Sequence, residues 1–249
     1  TSQRPFQASY APLRTLLRSS GLSCKSRSRR WLAIKALMIV DWPVLSDDEI
    51  EQLASDFRSQ ALDSLAPKSG GAVPVEQIAE QYLGYDLEFV DDNGALPGDV
   101  IGGIDFDTNT IIINSAIESH LGRYSFTIAH EIAHHVLHRD LFLKARSGAS
   151  IMCRGGKKRP IEELQADRFA EALLMPANLI EEHHRKIKNK NIFKLTNQVS
   201  MASKIIESSQ LNNVSVSAMV VRLNHLGLTT RAPLYQWVSS FMKKLVGTR

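Results

Sequence analysis

Ser125-Phe-Thr-Ile-Ala-His-Glu-Ile-Ala-His-His-Val-Leu-His138 is a mostly apolar stretch that carries one carboxylate and four imidazoles. Phe126, Ile128, Ala129, Ile132, Ala133, Val136 and Leu137 recur at helical spacing and predict a buried helix. Within it His130, Glu131 and His134 spell H-E-x-x-H. Residues four apart lie one above the other on the same helix face, so two imidazoles can converge on one ion while Glu131 flanks the open side. Polar side chains are not placed in an apolar helix without a partner. The spacing names one, a metal ion, in the arrangement of a zinc hydrolase with Glu131 as general base.

Two histidines leave a tetrahedral ion in need of one more protein ligand and one open position for water. A third histidine six residues after His134 is excluded, because position 140 is Asp. His138 is on the right face but too far along the axis for a straight helix to wrap around the ion, and is expected to support the site from behind the ligands. The next helix, Ile161 to Met175, carries Glu163 and Asp167 in E-x-x-x-D spacing. Glu163 is expected to complete the coordination, and Asp167 to accept the second ring N–H of a ligand histidine and fix its tautomer. Glu162, offset by about 100° of helix, is the competitor; only Glu163 pairs with Asp167 one turn on. An oxyanion donor besides the metal is sought among Tyr124, His135 and His138.

Arg123 to His138, together with Glu163-Leu-Gln-Ala-Asp-Arg-Phe-Ala-Glu-Ala-Leu-Leu-Met-Pro176 and Thr110-Ile-Ile-Ile-Asn114 upstream, resembles the ImmA/IrrE family of metallo-endopeptidases over roughly residues 46–180. The resemblance implies a compact, thermolysin-like zincin core, with zinc held by His130, His134 and Glu163 and Glu131 as catalytic base. It also implies cleavage of a particular cytoplasmic regulator, of the kind of helix-turn-helix repressors of mobile elements or stress genes. A non-proteolytic regulator, antitoxin-like or DNA-binding, that keeps the metal site as scaffold is the alternative.

Upstream, Ser46-Asp-Asp-Glu49 reads as a capping box opening a helix with Ile50, Leu53, Phe57, Ala61 and Leu65 on one face. A second helix spans Pro74 to Gly84. Tyr85, Leu87 and Phe89 alternate as a strand, and Val100–Phe106 and Thr110–Asn114 flank Asp107-Thr-Asn109 as a hairpin. The expectation is therefore an α+β fold with a small three-stranded antiparallel sheet, whose edge could hold an extended peptide. Arg146 to Arg159 reads as a loop, with Cys153 in it.

The net charge of +4 hides a segregation. Residues 1–37 hold 8 basic side chains and no acid; 38–182 hold 11 basic and 25 acidic, a balance of −14; 183–249 hold 11 basic and one acidic, a balance of +10. Three regions are expected: a basic arm (1–45), disordered or an extension ahead of a start at Met38; a metallopeptidase core (46–182); and a basic helical region (183–249). In the last, a helix over about Gln198–Ser209 and one between Ser215 and Gly227 are helix-turn-helix-like; packing against the rest of the fold is the favoured role, with DNA as a further partner for which Arg222, beside Asn224 and His225, is the candidate nucleic-acid contact. A final amphipathic helix is expected from Leu234 to Leu245. No apolar run reaches membrane-spanning length, and two cysteines, Cys24 and Cys153, fit a reducing cytoplasm.

Overall fold

The computed structural model describes residues 42–65, 71–91, 100–145, 151–153, 160–189 and 198–228. The basic arm and the helix expected at Leu234–Leu245 lie outside them.

Helix α1 (Asp47–Leu65) starts on the capping box. The Ser46 amide donates to Glu49 at 2.8 Å and the Glu49 amide to Ser46 Oγ at 3.3 Å, so two otherwise orphaned donors are satisfied reciprocally. A short α2 (Val75–Gln77) widens into a π turn (Ile78–Tyr82) and stops at Gly84, which takes a left-handed φ of 75° that a side chain would resist.

The sheet departs from the expected three antiparallel strands. β1 (Asp86–Val90), β2 (Gly102–Asp105), β3 (Thr110–Asn114) and β4 (Ile151–Cys153) lie in the order β1-β3-β2-β4. β2 and β3 form the expected antiparallel hairpin, with Asn109 at a φ of 50° in its turn. β1 pairs with β3 in parallel, Asp86 opposite Thr110. Alternation reveals a strand but not its direction, which depends on how the chain returns between elements. The fourth strand lies within the stretch read as a loop, and pairs antiparallel with β2; the Cys153 side chain is outside what is described.

Asn114 ends β3 and accepts the Ala116 amide at 2.9 Å, capping a short 3-10 turn. The chain then enters α3 (Leu121–Ala133), which continues through a π turn (His134–His138) into α4 (Arg139–Ala145). Ile128, Ala129, Ile132 and Ala133 are fully buried; each isoleucine contributes roughly 1.5–3 kcal/mol by leaving water. α5 (Ile161–Leu174) packs along α3 and against α1, burying Ala166, Phe169, Ala170 and Leu173. α6 (Ala177–Asn189), α7 (Gln198–Ser209) and α8 (Val216–His225) follow.

The boundary expected after Glu182 is not a boundary: α6 runs through it. One hydrophobic core links Ile50 of α1 to Ile205 of α7 and Met219 and Leu223 of α8. The change in charge along the chain marks a change in surface, not in packing unit.

Candidate metal centre

Helix α3 carries His130 and His134 one turn apart, and their Nε2 atoms approach to 3.0 Å. From α5, Glu163 presents one carboxylate oxygen 3.3 Å from His130 Nε2 and the other 3.5 Å from His134 Nε2. Both rings and Glu131 have no exposed surface. Two imidazole lone pairs that face each other in a dry interior repel unless a proton or a cation lies between them. A tetrahedral ion with bonds of about 2.0–2.1 Å separates its ligands by about 3.3–3.4 Å. The observed 3.0, 3.3 and 3.5 Å spacings bracket that edge, so the donor set fits a metal ion.

Each of the two histidines is backed on its other nitrogen. His130 Nδ1 lies 3.0 Å from Asp167, one helical turn beyond Glu163. His134 Nδ1 lies 3.0 Å from Nδ1 of His138, whose Nε2 is 3.2 Å from Gln165. The helix widens into its π turn at His134, a distortion that recurs at functional sites.

The charges of the metal-free cluster are coupled. Burial alone would push His130 down, but the carboxylates of Asp167 and Glu163 outweigh it and raise the imidazole to about 9. His134 is pushed down, chiefly by burial. Burial would raise Glu163, yet the adjoining imidazoles, foremost His130, which donates to it, hold its carboxyl far below the usual range. These directions favour a proton on His130 where its Nε2 faces Glu163 and His134, the place a metal ion would take.

Glu131 lies against β2. A Cβ built on Gly102 would come within 3.1 Å of Glu131 Oε1 and 2.5 Å of Thr127 Cγ2, so glycine leaves the space that the carboxylate uses. A groove of about 1020 Å³ is lined by Asp167 together with Ile101, His120, Phe126, Glu171 and Ser217.

The three oxyanion candidates have other partners. The Tyr124 hydroxyl bonds Glu76, and burial and that carboxylate raise its pKa. His135 Nδ1 lies 2.8 Å from the Tyr85 hydroxyl, and burial pushes the ring down to about 4. His138 has both nitrogens occupied behind His134, and burial pushes it down to about 3. Glu162, the competitor for the third ligand, instead bonds Trp42.

Arg222 does not face solvent as a nucleic-acid contact would. It is 5% exposed, pairs with both Glu51 carboxylate oxygens at 2.7 Å, and donates to the Met175 carbonyl at 2.9 Å. A buried guanidinium already paired through Nε and Nη2 has little left for a phosphate.

Sequence reasoning missed Gln165, Trp42 and Gly102. Only the Gly102-Gly103 pair within a strand gave a signal, since glycine inside a strand often marks a close approach.

No curated protein matches the chain. Residues 84–224, which include all four described strands, the His130–His134–Glu163 cluster and all but the last residue of α8, match the IrrE N-terminal-like domain of Peptidase_M78, and the chain belongs to that metallopeptidase-type family.

Proposed function

We propose that the protein is a zinc-dependent endopeptidase that cleaves a specific cytoplasmic regulatory protein, of helix-turn-helix repressor type, in a stress or mobile-element response. The observation that carries this reading is the convergence of His130, His134 and Glu163 with Glu131 buried beside them. A two-nitrogen, one-carboxylate set that leaves a fourth position open is a catalytic zinc set. The groove past Asp167 has room for several residues of an extended peptide. The outer edge of β4 has no strand partner among the described residues and adds a place for backbone pairing.

When bound, zinc supplies a Lewis acid that polarises the scissile carbonyl and acidifies a water molecule. Glu131 takes the proton of the attacking water and delivers it to the leaving amine. Asp167 holds the His130 N–H and keeps its Nε2 lone pair aimed at the centre. The substrate class and the regulatory setting rest on the family resemblance. The cytoplasm agrees with the cysteine usage, and no described helix is long and apolar enough to cross a membrane.

A regulator that used the site only as scaffold would not need the Glu131 carboxylate. Glu131→Gln is expected to retain metal and lower cleavage of the natural partner by about 10²- to 10⁴-fold, so that the uncleaved partner accumulates in cells and is recovered with the variant. Cleavage at the wild-type rate by Glu131→Gln would overturn the reading.

A further inference from the structure

Residues 42 and 43 precede α1 and lie outside the 84–224 family match, yet they reach the metal cluster from behind. The Pro43 carbonyl accepts a hydrogen bond of 2.7 Å from the Gln165 amide nitrogen, across 122 residues of chain. The Trp42 ring packs edge-on against His138 at 5.0 Å between centroids, and its indole N–H bonds Glu162.

These contacts can be read in only one direction. A carbonyl accepts and cannot donate, so the nitrogen of the Gln165 amide must face Pro43. The amide oxygen then faces His138 Nε2, 3.2 Å away, and that nitrogen must carry the hydrogen. His138 Nδ1 is left as an acceptor, and His134 Nδ1, 3.0 Å away, must donate to it. His134 Nε2 is thereby left as a lone pair pointing at His130 and Glu163. The opposite sense would set the Gln165 and Pro43 oxygens 2.7 Å apart with no hydrogen between them.

We infer that His138, Gln165 and the Trp42–Pro43 segment form a neutral hydrogen-bond chain that fixes the tautomer of His134 and positions it for the metal. His138 and Gln165 are positioning residues. The segment ahead of α1 is part of the metal centre, although it lies outside the family domain. His130 is oriented by a charged carboxylate and His134 by an uncharged chain ending on a backbone carbonyl, so the cluster gains two fixed tautomers while adding only one negative charge behind it. Gln165 and His138 are both buried, where an unmatched N–H is costly.

The inference rests on the metal-centre reading, and the test separates the two. Zinc ion is titrated into the metal-free full-length chain against a chromophoric chelator, for wild type, His138→Leu, His138→Asn and Trp42→Ala. Asn places an amide oxygen close to the acceptor position of His138 Nδ1, whereas Leu offers none. Wild type is expected to bind zinc, His138→Leu to bind it about 10- to 100-fold more weakly, Trp42→Ala to fall between them, and His138→Asn to recover most of the loss. Long-range proton–nitrogen spectra of the zinc-loaded wild type are expected to show hydrogen on His134 Nδ1 and His138 Nε2. If wild type binds no zinc, the metal-centre reading fails. If wild type binds zinc while His138→Leu binds it equally tightly, or the His138 hydrogen is on Nδ1, the positioning chain is overturned and the metal centre stands.

Discussion

Helices α3 and α5 and helix α8 all bury polar side chains, and they satisfy them in opposite ways. In α8 the Arg222 guanidinium is answered by Glu51 and the Met175 carbonyl, so the charge is closed off within the fold. Between α3 and α5, two imidazoles and a carboxylate converge on one point, where repulsion is relieved only by something not part of the chain. A buried polar group with complementary protein partners is fold architecture; a buried set of like donors that needs an outside cation is chemistry. The first ties α8 to α1, the second leaves a site.

The largest separation between the two regions should come from Arg222→Ala. It strands the Met175 carbonyl and leaves Glu51 with the Ala177 amide as its remaining hydrogen-bond donor, and should lower stability by about 3 kcal/mol, the low end for breaking a buried pair because Glu51 can still reach water. Zinc affinity of the folded fraction should not change. Chemical denaturation and zinc titration on the same preparation check this, and a parallel drop in affinity would break the distinction.

A smaller effect is expected from Gly102→Val on the site side. The new side chain meets Thr127 and Glu131 and should cost about 1–3 kcal/mol of stability through overpacking. Because the displaced group is Glu131, cleavage should fall by a larger factor than stability alone explains, with zinc still bound. Denaturation curves and cleavage rates that fell in step would show that Gly102 serves packing only.

The last effect is graded, at most about tenfold per pH unit, and belongs to the metal pair alone. His130 is held up to about 9 by Asp167 and Glu163 against the opposing pull of burial. A raised value means that the metal-free fold keeps the proton below that pH and loses it as pH rises through it. Zinc must displace this proton, so its apparent affinity should climb by up to about tenfold per pH unit from neutrality towards pH 9 and then flatten. A profile flat across that range would contradict the proton assignment.

Local rules made much of this readable. The H-E-x-x-H helix stood out because its spacing and apolar setting are contained in fourteen consecutive residues. The Ser46–Glu49 box needed four residues, and Glu163 with Asp167 needed one helical turn. What could not be read depends on where distant segments meet. Arg222 stayed open as a nucleic-acid contact because Glu51 is 171 residues away. The support of His134 ends on Pro43, which no helical or strand period connects to Gln165. β1 has the pattern of a strand, but its parallel pairing with β3 follows from the path of the intervening chain, which alternation does not encode. The supposed boundary at Glu182 came from charge, whereas the burial of Ile180, His184 and Ile187 shows α6 packing as one helix across it.

The most direct test is the zinc content of the purified full-length chain by elemental analysis, beside His130→Ala, Glu163→Ala and Arg222→Ala. The account predicts about one zinc per chain in wild type and Arg222→Ala, and its loss or severe weakening in the two ligand variants. A wild-type chain without zinc, or a His130→Ala chain that holds it as tightly as wild type, would contradict the metal centre on which the proposed activity depends.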